Sequence, residues 1–103
     1  SLHDLDDKVL NSLSESGYQD LILHKTGHGL GMDVHEDPYV MRNNYEELLQ
    51  GMVITIEPAL FKQGSLGVRI EDDVLVTSSG CEVLSGKLPK EIDAIEAIMS
   101  ANQ

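Results

Sequence analysis

Three histidines, His24, His28 and His35, fall within twelve positions and alternate with Gly27, Gly29 and Gly31, which clear space around them. Further along, Glu57, Arg69 and Glu71 sit in two runs rich in β-branched residues. Imidazole with carboxylate is the donor mixture that Zn, Mn, Co and Fe share. On the strands alone two readings stay open: glutamates on an edge that face water, or buried carboxylates compensated by Arg69 or a metal ion. A lone histidine is more often structural than a ligand, and it is the clustering of three that favours a metal site. The interval from His24 to His28 matches one turn of a zinc-binding helix that carries Glu after its first His. Lys25 holds that place here and Gly27 breaks the helix, which excludes the motif. The glycine alternation is not followed by a Lys-Ser/Thr pair, so a phosphate-cradling loop is excluded as well.

The elements that must position these residues follow from periodicity. Leu2, Leu5, Val9, Leu10 and Leu13 repeat at helical spacing over residues 2–16, with Gly17 as a natural stop. A helix so near the first residue, without a preceding partner element, is expected inside a larger fold. The glycine density from Gly27 to Gly31 rules out a helix and suits a strand packed tightly on a neighbour. Pro38 is expected to end any regular element. Residues 52–57 read as a strand that stops at Pro58, and residues 67–77 as another. In the first, Glu57 shares a side with Thr55 and Val53; in the second, Arg69 and Glu71 share one face. Ser79-Gly80 makes a turn, residues 82–84 a short strand, and residues 88–99 a closing helix with Ile92, Ile95 and Met99 on one face. The order gives an α+β class with a mostly antiparallel sheet and flanking helices.

Composition bounds the function. The chain of 103 residues is long enough for one domain with one core. Seven Lys plus Arg against eighteen Asp plus Glu give a formal charge of −11, which repels nucleic acid and anionic lipid, so neither is expected as a partner. A single cysteine, Cys81, cannot form an internal disulfide and fits a reducing compartment. With no apolar run near the roughly 20 residues that span a bilayer, the expected location is the cytoplasm.

Four motifs taken in order are familiar: His24-Lys25-Thr26-Gly27-His28-Gly29-Leu30-Gly31, then His35-Glu36, then Ile54-Thr55-Ile56-Glu57-Pro58, then Val68-Arg69-Ile70-Glu71-Asp72. From about residue 20 to residue 77 the chain resembles the pita-bread metallopeptidases, the family of methionine aminopeptidase, Xaa-Pro aminopeptidase and Xaa-Pro dipeptidase. The resemblance implies a site for two divalent ions (Mn, Co or Zn) held by two Asp, one His and two Glu. Matched motif to motif, His28 and Glu57 resemble ligands of one metal and Glu71 the carboxylate that bridges both, with Glu57 also the candidate general base. His35 resembles a histidine that touches substrate and stabilises the intermediate, His24 a second that lines the substrate pocket, and Arg69 an arginine that orients neighbouring carboxylates.

The stretch from Gly67 to Asp73, the short interval between Glu57 and Glu71, and His24 resemble the Xaa-Pro branch, which implies a peptide substrate with proline in second position. Ala59-Leu60-Phe61 departs from the family, where Gly and an aromatic often follow Glu-Pro. The two Asp ligands belong, in the family, to strands upstream of the histidine motif, and no segment before residue 20 matches them. The expectation is therefore that residues 1–103 form the C-terminal portion of a catalytic domain, inactive alone, with an apolar face open to homodimerisation. Two alternatives are a catalytically silent relative that acts as a binding module and a metal-free enzyme of the same fold.

Overall fold

A computed structural model describes all residues from Ser1 to Gln103. Helix α1 (Leu2–Ser14) starts at Ser1, whose side chain and that of Asp4 form a reciprocal capping box. It buries Leu2, Asp6 and Leu10, close to the face expected from its periodicity. Leu2 packs with Val40 and Ile54, and Leu5, Leu48, Ile56 and Val74 close around them. This core is small: eleven of the 103 residues are buried, only five of them hydrophobic.

After a short 3-10 turn (Gln19–Leu21), eight strands follow: β1 (Ile22–Leu23), β2 (Gly27–Gly29), β3 (Glu36–Val40), β4 (Val53–Ile56), β5 (Ala59–Lys62), β6 (Leu66–Arg69), β7 (Asp72–Val76) and β8 (Cys81–Val83). They form a five-stranded sheet in the order β3-β2-β4-β7-β8 and a three-stranded sheet in the order β1-β5-β6. Every pairing is antiparallel.

Three expectations need correction. Pro38 does not end an element but lies inside β3, at the edge of its sheet, where a residue without an N–H leaves no ladder bond unmade. Residues 67–77 are not one strand, because β6 and β7 belong to different sheets and separate at Ile70-Glu71. On the paired strands β4 and β5 the break falls at Glu57-Pro58, where proline cannot donate to the ladder. Finally, the closing helix α2 (Ile92–Ala101) starts later than expected and buries no residue. Ile92, Ile95 and Met99 share a face as read from the sequence, yet that face covers nothing and all three are exposed. A radius of gyration of 15.1 Å, against about 13 Å for a compact chain of this length, reflects that outlying helix.

One register runs through both sheets. The β4–β7 ladder ends with Ile56 opposite Asp72, and the β5–β6 ladder begins with Ala59 opposite Arg69. The two ladders are in phase, so Glu57 and Glu71 face each other where the ribbon passes from one sheet to the other. The site glutamates thus occupy the two points at which the chain changes sheet.

Candidate metal centre

Strand β2 brings the histidine. A Cβ on Gly27 would lie 1.8 Å from the Thr55 carbonyl oxygen, and one on Gly29 2.3 Å from that of Asp37, so only glycine lets β2 sit this close between β3 and β4. Held between them, His28 is 5% exposed. Its backbone N–H donates to Thr55 Oγ1 at 3.1 Å, and the Thr55 hydroxyl donates to Glu57 Oε2 at 2.9 Å. The Glu57 backbone N–H in turn donates to the Thr26 carbonyl at 2.7 Å. At the other end of this link, the Thr26 hydroxyl donates to the buried Asp6 carboxylate of α1.

One nitrogen donor of His28 and one carboxylate oxygen each from Glu57 and Glu71 lie within 4.8 Å of one another. These three line a groove of about 410 Å³ together with Leu30, Val34, His35, Arg69 and Asp73. The His35 ring stands 4.5 Å from that of His28 at a tilt of 55°. Arg69 Nε is 3.8 Å from Glu57 Oε1, with its guanidinium half exposed. Partial desolvation, then the neighbouring Glu57 and Asp73 carboxylates, raise the Glu71 carboxyl above the ordinary glutamate value, against a smaller opposing pull from His28.

The hydrogen bonds bear on whether a cation fits. His28 Nδ1 stands 2.8 Å from the Gly29 carbonyl, which can only accept, so the pattern assigns the ring proton to Nδ1. In the neutral ring the Nε2 lone pair then faces Glu57 Oε2 at 3.1 Å. Two acceptors so placed call for a positive charge between them, and an Nδ1–H anchored on a backbone carbonyl is how metal-binding imidazoles are oriented. Donors bound to one ion at about 2.1 Å each span at most about 4.2 Å, so the set needs only slight closure. The residues present fit a divalent ion.

Of the residues singled out from the sequence, the structure brings His28, His35, Glu57, Arg69 and Glu71 into this groove. It does not bring His24 there. His24 follows β1 and lines a separate cavity with Asp6, Lys25, Met41 and Arg42, because the chain turns at Lys25, whose φ is +108°, before entering β2. Two further polar residues of the site carried no sequence-based role. Thr55 and Asp73 are paired across β4 and β7; their signal was alternation, since each lies two residues from a site glutamate and so on its side of the strand.

Residues 1–78 match the profile of metallopeptidase family M24. The chain belongs to this family. An uncharacterized peptidase of Staphylococcus saprophyticus is 46% identical over 86 residues, which are 84% of this chain and 25% of the relative. Among solved structures, an X-Pro aminopeptidase from Thermotoga maritima superposes with a TM-score of 0.82 at 37% identity, over 87% of this chain and 25% of that one. A Xaa-Pro dipeptidase from Bacillus anthracis gives 0.81 at 41% identity over the same shares. The antiparallel sheets and helices are those of the pita-bread M24 fold. This M24 chain spans about a quarter of the length of the relatives it matches. No helix in it is long and apolar enough to cross a membrane.

Proposed function

We propose that the chain is the C-terminal portion of the catalytic domain of a Xaa-Pro metallopeptidase, aminopeptidase or dipeptidase in type, that removes the residue preceding proline. The observation that carries this is the convergence of His28, Glu57 and Glu71 donors within 4.8 Å. In this reading His28, Glu57 and Glu71 would help to hold two divalent ions, Mn, Co or Zn. Two aspartates upstream of this chain complete the set. Ions held there would acidify a water and polarise the scissile carbonyl.

The chain's own residues do the remaining work. Glu57 accepts the proton of the attacking water, with Oε2 held by Thr55 and Oε1 facing Arg69. Arg69 keeps that carboxylate aimed. His35, beside His28 at the mouth of the groove, donates a hydrogen bond to the carbonyl oxygen of the peptide as charge builds on it. Leu30 and Val34 give the groove an apolar wall for a side chain or a proline ring. His24 lines a separate cavity in this chain, and its place in this reading is along the substrate pocket of the full-length protein.

The neighbours that act on Xaa-Pro peptides support the substrate class, and the retained donor set weighs against a catalytically silent relative. A cytoplasmic location fits the lone Cys81. Association of copies through the exposed Phe61, Leu66 and Val68 belongs to the same proposal; sedimentation at a single monomer mass would remove it. The full-length protein is expected to bind about two Mn ions and cleave a Xaa-Pro peptide, with Glu71→Ala abolishing both. A full-length protein that binds no metal would overturn the reading.

A further inference from the structure

The hydroxyl of Thr55 joins two of the three candidate ligands. Thr55 is fully buried, and a hydroxyl has a single proton to give. Its oxygen receives the His28 backbone N–H at 3.1 Å, which leaves that proton for Glu57 Oε2 at 2.9 Å. The same Oε2 is the atom 3.1 Å from His28 Nε2. Without this bond the end of a glutamate turns through a broad, roughly two-fold torsion and presents either oxygen to the groove. With it, the angle of the carboxylate is set by a β-branched residue whose own χ1 is restricted.

Gly27 belongs to the same device, because only a residue without Cβ allows β2 to approach the Thr55 carbonyl closely enough for the His28 N–H to reach the hydroxyl. His28 lies on β2, Thr55 on β4 and Glu57 just past the end of β4, so the bond also fixes the distance between the imidazole and the carboxylate. The buried hydroxyl, midway between two groups that meet at one point, serves both at once: it receives the His28 N–H between β2 and β4 and holds the Glu57 carboxylate.

We propose that Thr55 is a positioning residue for the metal site, acting through Glu57 and His28 and touching neither ion nor substrate. This rests on the proposed reading of His28, Glu57 and Glu71 as ligands. The test uses the full-length protein and Mn²⁺ as the probe, with affinity and stoichiometry measured by titration calorimetry. Thr55→Val, which keeps the shape and removes the hydroxyl, is expected to weaken Mn²⁺ binding about 10- to 100-fold, the range for removing a group that orients a ligand. Thr55→Ser, which keeps the hydroxyl, is expected to bind within about threefold of the parent protein, an allowance well below that range. If Thr55→Val does not fold, Thr55→Cys replaces it, a residue of serine-like shape with a longer and weaker donor.

Unchanged Mn²⁺ affinity in the folded hydroxyl-free variant would overturn the proposal. Equal weakening in that variant and in Thr55→Ser would overturn it too, because the loss would then not follow the hydroxyl. Failure of the ligand reading looks different: the parent protein binds no Mn²⁺, or Glu71→Ala leaves its binding intact.

Discussion

Gly27→Ala perturbs the contact on which the site is built. The new Cβ would stand 1.8 Å from the Thr55 carbonyl oxygen and 2.7 Å from its carbon. Both atoms are backbone, so no side chain can swing aside, and β2 and β4 must separate by about 1.5 Å to restore ordinary contact with strands normally about 4.8 Å apart. That displacement breaks or weakens three hydrogen bonds: His28 N–H to Thr55 Oγ1 at 3.1 Å, Leu30 N–H to the Val53 carbonyl at 3.0 Å, and Glu57 N–H to the Thr26 carbonyl at 2.7 Å. At about 1 kcal/mol net for each bond, with about 1 kcal/mol or more of overpacking strain, the loss comes to about 4 kcal/mol.

Denaturant unfolding of the metal-free full-length protein reads it directly, with Gly80→Ala as the control. A Cβ at Gly80 meets nothing within 4 Å, and a free surface substitution stays within about 0.5 kcal/mol of the parent. If Gly27→Ala proves as stable as Gly80→Ala, β2 does not sit where the argument needs it, and the placement of His28 fails with it.

Three further outcomes follow from the charges. The fold raises the Glu71 carboxyl, so the folded protein holds that proton more tightly than the unfolded chain; the ionised group costs stability above its folded pKa, and the cost disappears as pH falls through it. Glu71→Gln should therefore raise the melting temperature of the metal-free protein at neutral pH and lose that advantage in acid, while Mn²⁺ affinity of the parent protein falls as protons compete for Glu71. Asp72 behaves oppositely: the Ser85 hydroxyl at 2.7 Å, together with Lys90, lowers its pKa, giving a contribution present above the unfolded value and lost as pH falls through the folded one. Ser85→Ala, which also strips the Asp73 N–H of its partner at 3.0 Å, should cost about 1–2 kcal/mol at neutral pH and less in acid, as measured by denaturant titration. Arg69→Met should change stability by less than about 1 kcal/mol, because the pair with Glu57 is half exposed, yet lower the turnover of a Xaa-Pro peptide; equal loss of both would make Arg69 a structural residue.

The metal-site candidates were legible because their signals are local. Glycines that flank a histidine, and glutamates that end β-branched runs, imply close strands and costly carboxylates before any coordinates exist. The sheet switch was not legible in the same way. Residues 67–77 alternate as far as Glu71, and the run Glu71-Asp72-Asp73 interrupts the pattern without saying that the chain changes sheet there; the break at Ile70-Glu71 answers Pro58 on the neighbouring strand, more than ten residues away. Arg69 and Glu71 still reach one groove, because the ladders on either side of the break stay in phase.

His24 was read as lining the substrate pocket; in this chain it lines a cavity apart from the His28 groove, the two being separated by the turn at Lys25 with its positive φ. The apolar face of α2 was legible as a face, but periodicity says which side is apolar and nothing about what covers it.

The claim on which the account turns is that His28, Glu57 and Glu71 are ligands of one centre. Diffraction from crystals of the full-length protein grown with Mn²⁺, recorded at the manganese absorption edge, places the ions without reference to activity. The account predicts anomalous peaks within bonding distance of His28 Nε2 and of carboxylate oxygens of Glu57 and Glu71. Peaks elsewhere, or no peak in this groove at saturating Mn²⁺, would contradict it.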